Sequence, residues 1–278
     1  MAVSMTAITI ATASAQAAPP ASFGGDFWTR PKLTGDWGGM RDQWALKGFT
    51  VDLNTVYTLQ GVPSGGIPGV SNNLGNTVSD DIVFGLDTTK AGWWPGGIFK
   101  LRFENRAGVS ALGKAGTVSP VNVDALFPDS LGNLDKSVLG ITELTYTQFF
   151  SRRVATFGGL INTLDADDNV IAGDVRGNST FLNLAFLMSP VEFTGAPNVA
   201  LGAGVFYVAT PNITSTLTVM GSQETATRNP FDSWNGTTIA TEWHLKHQIG
   251  DLVVVADQLR LHDLPIFQSS QGYQSSQR

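Results

Sequence analysis

From Phe49 to Gln60 the chain alternates. Phe49, Val51, Leu53, Tyr57 and Leu59 occupy odd positions, and Thr50, Asp52, Asn54, Thr58 and Gln60 occupy even ones, with a break at Val56. Successive side chains of an extended strand point to opposite faces, so a period of two predicts a strand with one apolar and one polar side. The pattern sharpens over 98–106, where Phe99, Leu101 and Phe103 alternate with Lys100, Arg102, Glu104 and Arg106. Four charged side chains on one strand face require water or mutual pairing, because an unpaired charge in an apolar medium is costly.

The alternation recurs downstream. Leu144, Tyr146 and Phe150 oppose Glu143, Thr145 and Thr147, and Leu182, Leu184, Phe186 and Met188 share a face within 180–188. Val199, Leu201, Ala203, Val205 and Tyr207 oppose a row of small residues that includes Gly202 and Gly204. Ile213, Leu217 and Val219 oppose Thr214, Thr216 and Thr218, and Ile239, Trp243, Leu245 and Ile249 oppose Glu242, His244, Lys246 and Gln248. With the less regular segments 80–88, 154–162 and 251–260, about ten strands are predicted.

Tight-turn signals separate them at Pro95-Gly96-Gly97, Ser151-Arg152-Arg153, Thr210-Pro211-Asn212 and Trp234-Asn235-Gly236. Longer polar stretches at 61–80, 107–138, 164–178 and 221–236 alternate with these turns. Short turns at one end and long loops at the other describe an outer-membrane barrel, although a β-sandwich shows the same period. A sandwich would expose a Lys/Glu-rich face. Here most polar positions are Thr, Asn, Gln and Gly, which favours the barrel. The expected fold class is all-β, an antiparallel transmembrane β-barrel preceded by one short helix. That helix is expected within 36–48, with Asp36 as its N-cap, Gly48 as its stop, and Met40, Trp44 and Lys47 on one face.

Composition supports contact with lipid. Charged residues are 14% of the 278, against about 25% in soluble proteins. A net charge of -6 removes the basic stripe that a nucleic-acid partner would require. The absence of cysteine removes thiol nucleophiles, cysteine zinc sites and disulfides. No apolar run after the N-terminus reaches the ~18 residues of a spanning helix. The run Leu164-Asp165-Ala166-Asp167-Asp168-Asn169 lacks the Gly and Glu of a calcium-binding loop and reads as a solvated acidic loop. No Ser-His-Asp order or close carboxylate pair stands out, so neither enzyme activity nor a cofactor or metal is expected.

Residues 1–17 are small and apolar and end in Ala15-Gln16-Ala17, a small-x-small cleavage pattern. They read as a signal peptide remnant lacking its basic start, with a short buried helix as the alternative. Residues 18–48 then form an N-terminal periplasmic segment, 49–262 the barrel strands, and 263–278 a polar, disordered tail.

The block Leu33-Thr34-Gly35-Asp36-Trp37-Gly38-Gly39-Met40-Arg41, followed by Lys47-Gly48-Phe49-Thr50-Val51-Asp52, resembles the opening of the carbohydrate-selective porins of the OprB family. Gln60-Gly61 with Ser64-Gly65-Gly66, Leu86-Asp87-Thr88 with Lys90 leading to Trp94-Pro95-Gly96-Gly97, Asn122 to Pro128, and Thr163-Leu164-Asp165 continue the likeness in order. It covers roughly 27–249 and implies a sixteen-stranded channel of the bacterial outer membrane through which sugars diffuse. About ten strands fall short of that number, the resemblance fades after Gly250, and the last residues are polar. The expectation is therefore a truncated barrel. Porins commonly form trimers, so the resemblance also points to a homotrimer surrounded by outer-membrane lipid.

A sugar is neutral and covered in hydroxyls, so a water-filled wall of donors and acceptors suits its passage. Lys100, Arg102, Glu104 and Arg106 are the candidate charged wall at a constriction; the alternative is that they pair across the lumen or sit near its rim. Glu242, His244 and Lys246 form a second candidate ladder, and Asp52 and Asn54 are further candidates. Trp93 and Trp94, beside a Pro-Gly-Gly turn, read as interfacial belt residues rather than sugar-stacking ones. The expected function is passive diffusion of carbohydrates and other small solutes. A secreted β-rich carbohydrate-binding protein or a non-functional porin fragment are the alternatives.

Overall fold

A computed structural model describes residues 22–69, 74–116, 122–128, 137–164, 183, 196–231, 234, 236–249 and 252–264; from 246 onward it describes the backbone alone. Helix α1 (Met40–Leu46) precedes strands β1 (Phe49–Gly61), β2 (Leu74–Asp87) and β3 (Gly97–Val109). A one-turn helix α2 (Leu112–Ala115) is followed by β4 (Val138–Phe149), β5 (Val154–Asn162), β6 (Val199–Thr210), β7 (Ile213–Gly221), β8 (Thr237–Ile249) and β9 (Leu252–Leu264). The expected strand within 180–188 lies outside the described residues, apart from Asn183.

Among the described residues, nine strands make one sheet in chain order, each antiparallel to the next, with β1 and β9 as its edges. The connections alternate in length. The longer ones are 62–73, 110–137, 163–198 and 222–236, and the shorter ones between them are 88–96, 150–153, 211–212 and 250–251. This up-and-down order with unequal ends agrees with the turn signals at Pro95-Gly96-Gly97, Ser151-Arg152-Arg153 and Thr210-Pro211-Asn212, whereas Trp234-Asn235-Gly236 closes a long connection and the polar stretch 61–80 includes the first half of β2.

Burial along the strands is inverted relative to a water-soluble sheet. Arg102, Glu104 and Arg106 of β3 are 7%, 2% and 0% exposed, and Thr77, Ser79, Asp81, Thr216, Thr218, Thr238 and Glu242 are also buried. The opposite face leaves Leu53, Tyr57, Leu59, Leu144, Val205, Tyr207, Leu217 and Trp243 exposed. An antiparallel sheet in water shows the reverse pattern. An apolar exterior around a polar interior is the pattern of a transmembrane barrel.

The short-turn end is aromatic. Trp37, Trp44, Phe49, Phe84 and Phe103 follow one another at 5.5–6.3 Å between ring centres, carrying contact from α1 onto the outward face. Trp94, Phe99 and Tyr146 form a second group, with the Trp94 indole donating to the Tyr146 hydroxyl at 2.7 Å.

Helix α1 differs from its sequence expectation at the start. Gly39, not Asp36, occupies the N-cap position, and no side chain caps the helix. The Asp36 side chain instead accepts from the Gly38 backbone, and the left-handed φ angles of Gly38 (70°) and Gly39 (87°) delay the first helical turn. The stop at Gly48 is as expected: its φ is 83° and its N–H donates to Ala45.

Candidate functional site

The buried polar face is built by register. In β2, β3 and β4 the pairs Val83–Arg102, Asp81–Glu104 and Ser79–Arg106 place the β3 charges beside β2, while Lys100 pairs with Thr145 and Arg102 with Glu143. A β-bulge intervenes at this point, since Arg102 pairs with Glu143 but Phe103 pairs with Ile141. The extra residue, Thr142, lets both Thr142 and Glu143 turn inward. Without the bulge, Glu143 would follow the phase of Ile141 to the outside.

That shift gives the cations their carboxylate. Lys100 Nζ lies 3.0 Å from Glu143 Oε2, and Arg102 Nε lies 3.9 Å from the same oxygen. Arg102 Nη1 is also 3.4 Å from Glu104 Oε1, to which Asn162 of β5 donates from 3.5 Å. On β8, His244 Nε2 sits 2.7 Å from Glu242 Oε1. The resulting face carries donors and acceptors already oriented by one another.

The candidates do not all join this cluster. Lys100, Arg102, Glu104 and Arg106 share the inward face, as their spacing predicts, and Glu242 and His244 lie on the same face farther along the sheet, on β8. Lys246 lies on β8, but its side chain is outside the described part. Asn54 is exposed on the edge strand. Asp52 serves the N-terminal segment: Lys32 Nζ and Arg41 Nη2 each lie 2.7 Å from its Oδ1. The Arg41 guanidinium also donates to the Val51 carbonyl and rests 4.2 Å from the Phe23 ring centre and 5.1 Å from that of Trp37. Sequence reading placed Glu143 on the polar face without assigning it a role, and overlooked Asn162 and Asp81. Their contribution depends on which residue of the next strand lies opposite.

Two connections fold against the polar face. Residues 122–128 are buried, and the Asn122 amide donates to Thr58 of β1 at 3.2 Å. Leu112, Ala125 and Leu126 pack together beneath this crossing. At Gly75 a side chain would stand 2.3 Å from the Ala111 nitrogen, so only glycine admits the crossing. The second connection touches β4 at Gly140, where a Cβ would meet the Ala226 carbonyl at 2.3 Å. Glu224 pins that connection to the start of β6, accepting from the N–H groups of Asn198 at 2.7 Å, Val199 at 3.2 Å and Ala226 at 3.0 Å. Burial pushes the Glu224 carboxyl above its ordinary range, against the opposing pull of those backbone donors.

The β5–β7 sector of the same face is uncharged. Ala155, Phe157 and Phe206 are buried on β5 and β6, followed by Thr216, Thr218 and Met220 of β7. A charged wall on β2–β4 and an apolar, hydroxyl-bearing wall on β5–β7 thus share one interior.

Comparison with solved structures identifies the same architecture. The high-pH structure of OprB from Pseudomonas putida superposes with a TM-score of 0.64 at 20% identity, covering 81% of this chain and 54% of that one. The low-pH structure of the same protein gives 0.47 at 17% identity, covering 83% of this chain and 60% of that one. The chain therefore spans little more than half the length of those structures. No curated protein matches it. The family model described as carbohydrate-selective porin, OprB family, matches residues 73–270. The match begins after the Leu33–Arg41 block and continues past Gly250, where the resemblance read from the sequence faded. The correction has a physical basis: each barrel strand carries a weak signal, and 251–260 is irregular in period, yet β9 pairs with β8 along its length. With strands β2–β9 inside the matched region, the chain belongs to the OprB family of carbohydrate-selective porins.

Proposed function

We propose that the protein lies in the bacterial outer membrane and lets carbohydrates and other small solutes diffuse passively along its polar face. Residues 1–17 act as the export signal, outer-membrane lipid covers the apolar face, and copies associate as a homo-oligomer, with a trimer as the form suggested by porins in general. The observation that carries this reading is the inverted burial, with the Arg102–Glu104–Arg106 row inside and Leu53, Tyr57 and Leu144 outside. A sugar presents hydroxyls at its edge and C–H groups on its faces. The charged wall offers donors and acceptors to the hydroxyls, while Phe157 and Phe206 offer apolar contact.

In this reading Lys100, Arg102, Glu104 and Arg106 line the path, with Glu143 holding two of the cations in place. Glu242 and His244 line its far side, and Lys246 extends their ladder. Asp52 anchors the N-terminal segment at the periplasmic rim, with Asn54 next to it on the same face. Liposome swelling tests the proposal. Reconstituted protein is expected to admit glucose faster than empty vesicles do, with flux proportional to concentration and no saturation at low sugar. Swelling equal to that of empty vesicles would reject it.

A further inference from the structure

The short connections beside β1–β5 carry a charge balance opposite to that of the whole chain. Residues 47–48, 87–96 and 149–153 hold four cations, Lys47, Lys90, Arg152 and Arg153, and one carboxylate, Asp87, in a chain of net charge -6. All four cations are exposed, and none of them forms an ion pair among the described residues. The Asp87 carboxylate is turned to the backbone, accepting from the N–H groups of Thr89 at 2.9 Å and Lys90 at 3.1 Å. The adjoining segment 22–46 is balanced, with Arg30, Lys32 and Arg41 against Asp26, Asp36 and Asp42. The connection 211–212 between β6 and β7 holds no charge. The excess is confined to one sector.

Backbone contacts join these segments into a continuous rim. The Asp87 N–H donates to the Gly48 carbonyl at 2.8 Å, and the Phe149 N–H donates to the Gly96 carbonyl at 2.8 Å. The Gln148 amide donates to the Pro95 carbonyl at 2.9 Å. A Cβ on Gly48 would stand 3.0 Å from that of Lys90, so the backbone next to Lys47 lies against Lys90. Aromatic side chains are interleaved with the cations: Trp93, Trp94 and Phe150 are all exposed. The Trp94 ring lies 5.8 Å from that of Trp93, 6.3 Å from that of Phe99 and 6.4 Å from that of Tyr146. Through Phe99 and Tyr146, paired across β3 and β4 in phase with Leu101 and Leu144, the rim passes onto the outward apolar face.

Exposed cations by themselves are ordinarily hydrated. Tryptophans at the edge of an apolar band, however, sit at the level of lipid headgroups. An anionic phospholipid answers both features, since its phosphate accepts from Lys and Arg while its chains continue the hydrocarbon that meets the apolar face. A free phosphate ion would answer the cations and leave the tryptophans in water.

We infer that the rim of Lys47, Lys90, Arg152 and Arg153 with Trp93, Trp94 and Phe150 binds the headgroups of anionic phospholipids and enriches them beside β1–β5. The inference rests on the membrane-embedded reading and adds to it the class of lipid that this sector selects.

Tryptophan quenching in vesicles tests it. The full chain is folded into phosphatidylcholine vesicles containing a minor fraction of phosphatidylglycerol, with bromine on the acyl chains of one lipid or the other. At equal mole fraction of brominated lipid, phosphatidylglycerol is expected to quench about twofold more than phosphatidylcholine. Sodium chloride at about 1 M, where the screening length falls to about 3 Å, is expected to remove the excess. Lys90→Gln combined with Arg152→Gln and Arg153→Gln is expected to remove it too. Quenching of that variant by brominated phosphatidylcholine should stay at the wild-type level, which shows that the variant inserts. Equal quenching by the two lipids, or an excess that survives salt or the triple variant, overturns the inference and leaves the membrane reading standing. Loss of the excess to inorganic phosphate, but not to sodium chloride of the same ionic strength, assigns the rim to a phosphate ion and overturns the lipid. Absence of quenching by either lipid overturns the membrane reading itself.

Discussion

Asp80 and Asp81 are neighbours in β2 with the same side-chain chemistry, yet they belong to opposite faces of the sheet. Asp81 is buried opposite Glu104 on the charged face, whereas Asp80 points outward between Thr55 and Asn105. The pleat alone separates them, since consecutive side chains of a strand leave on opposite sides. In a soluble sheet the outward aspartate would be ordinary and the buried one exceptional. Here the inward aspartate has charged company in Arg102, Glu104 and Arg106, and the outward one is, among the described side chains, the single charge at an outward strand position. The same carboxylate is therefore buried among charges on one face and set among apolar side chains on the other.

The sharpest way to break this comparison is to exchange charge between faces. Leu144→Arg puts a cation on the outward face of β4 and is expected to destabilise the inserted protein by about 2–4 kcal/mol near mid-membrane. Thr145→Arg, one residue on and beside Lys100 and Glu143, is expected to cost less than about 1 kcal/mol and instead to alter permeation. Urea titration of folding in vesicles reads both; equal costs would mean that the two faces meet the same medium.

A smaller loss is expected inside the charged wall. Glu143→Gln removes the carboxylate shared by Lys100 and Arg102 and is expected to cost about 1–3 kcal/mol in the same titration. It should also shift channel selectivity toward anions, read as a reversal-potential change across a planar bilayer. Gly140→Leu should perturb the path with less effect on the strands. Its side chain requires the space of the Ala226 carbonyl, so the 222–236 connection should lift and glucose flux in swelling assays should rise.

The smallest effect concerns Glu224. Because its folded pKa lies above the usual value near 4.5, the folded chain holds the proton more tightly than the unfolded chain does. Its contribution is fully present below that value and is lost as pH rises through the folded pKa. Hydrogen exchange at Asn198, Val199 and Ala226 is expected to be slower on the acid side of that window after correction for intrinsic rates. Glu224→Gln should flatten the dependence; a wild-type profile without slope would reject the assignment.

How far the sequence speaks depends on the range of the interaction concerned. The row Lys100, Arg102, Glu104 and Arg106 was legible because four charges at every second residue can only share one face. The tight turn after β6 was legible in Thr210-Pro211-Asn212 for an equally local reason. Asp36 misled as a helix cap because two glycines downstream set the backbone, and their left-handed angles do not show in a capping pattern. Asp52 satisfied the alternation and was assigned to the solute path, yet two cations from the segment before it occupy its carboxylate. Nothing within β1 announces Lys32 and Arg41 as its partners. The end of the likeness at Gly250 was misread because β9 is held by pairing with β8 rather than by a clean alternation of its own.

By itself the sequence determined which side chains share a face, where three of the tight turns fall, and that charge is sparse along the chain. These follow from the two-residue repeat of an extended chain and from composition, neither of which requires a distant partner. The tertiary structure decided which groups meet. A one-residue bulge turned Glu143 inward to Lys100 and Arg102, two connections settled onto glycines at Gly75 and Gly140, and strand register set Thr55 and Asn105 on either side of Asp80. Register and loop placement are fixed by pairing between segments far apart in the chain, so they enter only when the sheet is assembled.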